Sequence, residues 1–196
     1  MAIGSDFDVT DAPEFEPELD VSDVPLDVHA DSELETQHQI QEAATALGDI
    51  ENLDADTWHT LDASERLEVL QDIENQMSGI QERPAVEVAM EPMSSDVFGG
   101  YDGERITINT NHLEGNVLPM TEFVDTIVHE GRHAYQDYAV EHPGFVSDTE
   151  LVAEWADNFE NYLSADLYGY ELYASQPVEA DAWNYASQVV AAFTSS

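Results

Sequence analysis

The chain has 196 residues, enough for one compact domain with a sizeable core. Its 43 acidic residues face four Arg and no Lys, for a formal net charge of −39. Such a chain repels DNA, RNA and anionic lipid, which excludes nucleic-acid and membrane-surface partners. With no Cys it has neither disulfides nor thiolate metal ligands.

Charge this dense destabilises a compact state through self-repulsion, and salt relieves it, screening lengths falling to roughly 3 Å at 1 M. The composition therefore suggests adaptation to a salt-rich cytoplasm. An effector or toxin domain lacking Lys as a modification site, or an acidic surface serving solubility, are the other readings. There is no signal-peptide-like apolar run after a basic start and no apolar stretch of membrane-spanning length. The expected location is soluble, either cytoplasmic or reached by an export route without a standard signal.

Residues 1–32 are expected to be a disordered acidic tail, rich in Asp and Glu and broken by Pro13, Pro17 and Pro25. Residues 33–196 form the expected domain. Leu34, Ile40, Ala43, Ala44 and Leu47 share one helical face over 32–47. A second helix is predicted over 63–81, capped by Asp62 or Ser64, with a stripe of Leu67, Leu70, Ile73, Met77 and Ile80. Alternation then predicts strands at 86–90 and 106–109, with turns at Gly99-Gly100 and Asp102-Gly103. An exposed edge of such a sheet can pair with an extended peptide. The next helix is expected to start at a Thr121 cap and stop near Glu141, before Pro143-Gly144. Further helices are predicted over 148–163 and 177–193, the last opened by Pro177.

His129-Glu130-Gly131-Arg132-His133 lies inside the third of these helices. Four-residue spacing puts both imidazoles on one face, where each can reach one metal ion at about 2.0–2.1 Å. Glu130 leans to the side of that ion, positioned to take a proton from an activated water and return it to a leaving amine. Shuffling the chain produces a His-Glu-x-x-His pattern in roughly 3% of cases, so helical context is needed to give it weight. A hydrolytic zinc takes a third protein ligand and keeps one position open. The candidates are His142, Glu154 and Glu179, with Asp181 available to orient a ligand ring. Tyr168, Tyr170 and Tyr173 precede the last helix; Tyr173 is a candidate oxyanion donor, with aromatic packing as the alternative. Arg132 is expected in a structural salt bridge, Gln136 and Asp137 behind the ligands, and Trp155, Phe159 and Trp183 in the core.

The string from Thr126 to Gln136 resembles the active helix of zincin metallopeptidases with a Glu third ligand. The segment Glu179-Ala180-Asp181-Ala182-Trp183-Asn184-Tyr185-Ala186 is similar to the Glu-Ala-Asn-x-Phe-Ala helix of ImmA/IrrE-like metallopeptidases. Metallopeptidase domains of bacterial polymorphic toxins carry similar pairs. The resemblance covers about 120–186; it departs in Asp181 for Asn and in a longer interval between the motifs. It implies Zn2+ held by His129, His133 and Glu179, with Glu130 as general base. The expected fold is α+β and zincin-like, mostly helical, with a small β-sheet edge beside the active-site helix. The expected function is zinc-dependent hydrolysis of protein or peptide substrates. The rivals are an effector or toxin protease with one protein target, and an inactive zinc-stabilised binding module.

Overall fold

The computed structural model describes residues 28–115 and 118–195. Most of the expected tail, residues 1–27, lies outside the described residues. Its last five do not: α1 spans Val28–Gly48, so the helix starts ahead of the Ser32 boundary expected from the sequence.

The fold is α+β, with helices around a three-stranded mixed sheet. After α1 come α2 (Ala55–Trp58) and α3 (Ala63–Ile80). Asp62 caps α3, accepting from Ser64 and Glu65 amides while the Glu65 side chain accepts from the Asp62 amide. That reciprocal cap satisfies backbone donors the helix leaves open. The strands are β1 (Glu87–Glu91), β2 (Gly99–Tyr101) and β3 (Arg105–Asn109), followed by α4 (Thr110–Leu113). β3 is central, parallel to β1 and antiparallel to β2. The Gly99-Gly100 pair, expected as a turn, is therefore part of an edge strand. A Cβ at Gly99 would come within 2.9 Å of the Thr107 carbonyl and the Thr126 side chain. Glycine here lets β2 lie close to both β3 and the next helix.

That helix is α5 (Met120–Glu141), followed by α6 (Thr149–Glu160), α7 (Ala165–Tyr168), α8 (Tyr170–Ala174) and α9 (Pro177–Thr194). α5 starts after Pro119 without a side-chain cap; Thr121, the expected cap, lies inside it. α5 packs against α9, α3, α6 and the sheet. Its upstream half joins a large apolar cluster through Phe123, Val124, Ile127 and Val128, with Leu70, Ile73, Ile106 and Ile108. Its downstream half joins a second cluster through Tyr135 and Ala139, with Val146, Trp155 and Val178. The stretch between is where the chemistry sits. From Ile127 to Gln136 every residue is buried except Glu130, which stays partly exposed. A helix buried all round belongs to a core; one acid left open within it is an exception with a place to face.

Among the described residues no helix is long and apolar enough to cross a membrane.

Candidate metal centre

α5 and α9 bring three residues together. His129 Nε2 and His133 Nε2 are 3.1 Å apart. His129 Nε2 lies 3.4 Å from Glu179 Oε2, and His133 Nε2 lies 3.5 Å from Glu179 Oε1. Ligand bonds of about 2.0–2.1 Å in a tetrahedron give edges of roughly 3.3 Å. The three separations therefore suit one ion held equally by all three. Glu179 Oε2 is buried without a hydrogen-bond partner. A buried carboxylate oxygen left so is costly, and a cation between it and the two rings would satisfy it. The group can hold a metal ion.

The neutral tautomer of His133 follows from its surroundings. The Gln136 amide nitrogen donates to Val178 O at 3.0 Å and to Asp181 Oδ2 at 2.7 Å. Both partners only accept, so the Gln136 carbonyl must be the group that faces His133 Nδ1, at 2.9 Å. Nδ1 then carries the hydrogen, and Nε2 presents its lone pair to the cluster. Arg132 locks the same assembly. It pairs with Asp181 through two hydrogen bonds, of 2.8 and 3.1 Å, and lies 4.3 and 4.7 Å from the Tyr135 and Tyr185 ring centres. The salt bridge expected for Arg132 is thus present, and Asp181 acts on His133 through Gln136.

Burial opposes ionisation of Glu179, but the adjacent His129 and His133 imidazoles, and then the Tyr162 hydroxyl, outweigh it and hold the carboxyl far below its ordinary range. Burial likewise opposes charge on His133, and Glu179 overcomes this and raises its pKa. Without metal the site thus favours a carboxylate beside a proton on imidazole. Proton and metal compete for that position.

Tyr162 donates to Glu179 Oε1 at 2.5 Å. The pKa values of Tyr162 and Tyr173 are both raised, chiefly by burial and then by the Glu179 carboxylate, so both hydroxyls remain donors. A cavity of about 570 Å³ opens beside the cluster, lined by His129 and Glu130, by Val97–Gly99 at the start of β2, and by Tyr173 and Trp183. The loop that leads to β2 is tied down by buried Asn109, which donates to Ser94 O and Val97 O and accepts from the Met93 amide.

The other sequence candidates lie elsewhere. Glu154 is exposed on α6. His142 caps the end of α5, exposed and stacked on Tyr138. Asp137 accepts from the Tyr101 hydroxyl. Trp155 is in the core as expected, but Trp183 is 39% exposed and its ring sits 4.6 Å from that of His129. Ala182 is fully buried where α9 meets α5, whereas Ala180 is exposed. Trp183 and Tyr162 were the two residues not singled out for the site. Trp183 is four residues beyond Glu179 and so shares its helix face; no comparable signal marks Tyr162.

Comparison of the chain with protein-family models, with curated proteins and with solved structures finds no significant match.

Proposed function

We propose that the protein is a zinc-dependent, zincin-like metallopeptidase that hydrolyses peptide bonds. The observation that carries this is the position of Glu130. It is the single open residue in a buried stretch of α5, on the cavity wall next to His129. A site holding metal only for stability needs no carboxylate there.

Two imidazoles and one carboxylate favour zinc over Mg2+ or Ca2+, which take oxygen ligands. Three protein ligands leave a fourth position, as in hydrolytic rather than structural zinc sites. When bound, zinc supplies Lewis acidity toward a water and toward the scissile carbonyl. Glu130 accepts a proton from the attacking water and delivers it to the leaving amine nitrogen. Tyr173, kept protonated beside Glu179, is available to donate to the developing oxyanion. β2, an antiparallel edge strand at the cavity mouth, offers its free backbone edge to an extended peptide.

The test is a comparison of zinc-loaded protein with its Glu130→Gln variant on a casein-type substrate. The variant is expected to keep zinc and to lose hydrolysis by about 10² or more. Equal hydrolysis by both would refute the peptidase reading. Inertness toward general substrates, with toxicity on expression that requires Glu130, would instead mark a single-target effector protease.

A further inference from the structure

Glu179 turns both carboxylate oxygens toward the two imidazoles. Oε2 lies 3.4 Å from His129 Nε2, and Oε1 lies 3.5 Å from His133 Nε2. By distance alone either oxygen, or both, can reach an ion held by the rings. Their partners differ. Oε1 accepts from the Tyr162 hydroxyl, whereas Oε2 is buried with no hydrogen-bond partner. Glu179 is only 1% exposed, so bulk water does not even out the two oxygens.

Tyr162 follows the end of α6, and its neighbours fix its place. The Leu163 amide donates to Gln176 Oε1 at 2.7 Å, and the Leu163 carbonyl accepts from Gln176 Nε2 at 2.9 Å. Gln176 is buried and immediately precedes α9, which carries Glu179 in its first turn. Asn158 on α6 adds a second tie. It donates to Gln176 Oε1 at 3.0 Å and accepts from the Val178 amide at 3.1 Å. The chain on both sides of Tyr162 is therefore clamped to the start of α9, and the Tyr162 ring stands edge-on to Tyr173. Tyr162 is 43% exposed, so apolar burial is a small part of its role. The part with a defined partner is the hydroxyl.

We propose that Tyr162 is a positioning residue that makes Glu179 a one-oxygen metal ligand. Its hydroxyl occupies Oε1, and Oε2 is left as the oxygen that meets the ion. A hydrogen bond to a carboxylate is charge-assisted and draws electron density from the oxygen that accepts it. The oxygen with no competing donor is then the better ligand for a cation. Partners of this kind, one layer behind a ligand, set its orientation. The consequence is the number of ligands. One oxygen from Glu179 and one nitrogen from each His make three, which leaves a fourth place for water or substrate. With both oxygens bound, the carboxylate fills or crowds that place. The inference rests on the zinc reading of the site and not on which bond is cleaved there.

The test compares the full chain with its Tyr162→Phe variant, which keeps the ring and removes only the hydroxyl. Each is loaded with zinc for crystallography and with Co2+ for visible spectroscopy in solution. In the wild type, Glu179 Oε2 is expected within about 2.0–2.2 Å of the zinc, with Oε1 outside that range and bound to Tyr162. In the variant both oxygens should approach the ion. The visible Co2+ bands should then weaken, as four-coordination gives way to five. Tyr170→Phe removes the hydroxyl of an exposed tyrosine on the cavity wall and should leave the spectrum unchanged. Two-oxygen binding in the wild type, ligation through Oε1, an unaltered spectrum in Tyr162→Phe, or the same change in Tyr170→Phe would overturn the role of Tyr162. A wild type that binds no metal removes the metal centre and this role with it. A metal-loaded protein that cleaves no peptide removes the peptidase reading alone.

Discussion

Gln136→Met tests how the protein prepares its metal ligand. The substitution keeps the volume of a fully buried side chain and removes its hydrogen bonds to His133, Val178 and Asp181. Asp181 keeps Arg132 and the Val178 carbonyl keeps its place in the α9 hydrogen-bond ladder, so the group left without a partner is the His133 Nδ1–H. The metal-free protein should lose about 1–3 kcal/mol, the cost of one unsatisfied buried group. His133 also loses the group that fixes its tautomer and ring orientation. Loss of such an outer partner typically weakens metal affinity 10- to 100-fold, or about 1.4–2.8 kcal/mol. Zinc affinity by competition with a chromophoric chelator, and denaturant unfolding of the metal-free protein, read the two effects separately. A folded variant whose zinc affinity stays within twofold of wild type would refute the relay from Asp181 through Gln136 to His133.

Gly131→Ala should destabilise the fold by about 1–3 kcal/mol in denaturant titration. A Cβ there meets Arg83 Nη2 and Glu74 Oε2 at 3.1 Å, in a fully buried ion pair that also donates to the Gly131 carbonyl. Glu74→Ala leaves Arg83 buried without its counter-charge and should cost about 3–5 kcal/mol by the same measurement. The net charge of −39 predicts unfolding in dilute buffer and recovery in molar salt, followed by circular dichroism. Burial works against ionised Asp181, but Arg132 outweighs it and lowers the pKa. Its contribution to stability is therefore complete above about pH 3.9 and lost as pH falls through the folded pKa. The stability gap between wild type and Asp181→Asn should stay flat from pH 7 to pH 5 and shrink in acid.

The parts of the fold legible in the sequence are those that announce themselves locally. α3 and α5 combine apolar periodicity with a capping acid or a terminating Pro-Gly, and α9 opens on Pro177. β2 did not: three residues, two of them Gly, carry no alternation, and only pairing with β3 makes them a strand. α2 and α4 are single turns: the α2 cap Asp54 is equally ordinary in a loop, and the α4 cap Asn109 is also the last residue of β3, read in the sequence as strand alone. His129 and His133 were legible because one helix holds both. Glu179 needed a second segment 46 residues away, and only packing of α5 on α9 separates it from exposed Glu154. Tyr162 reaches Glu179 because α6 ends at Glu160, short of its expected end at 163, which turns the chain toward the site.

The central claim is one zinc ion held by α5 and α9 together. A crystal of the zinc-loaded full chain, measured at the zinc absorption edge, tests it most directly. One anomalous peak within about 2.0–2.2 Å of His129 Nε2, His133 Nε2 and a Glu179 oxygen is the expected result. No peak there, or a peak on exposed carboxylates instead, would contradict it.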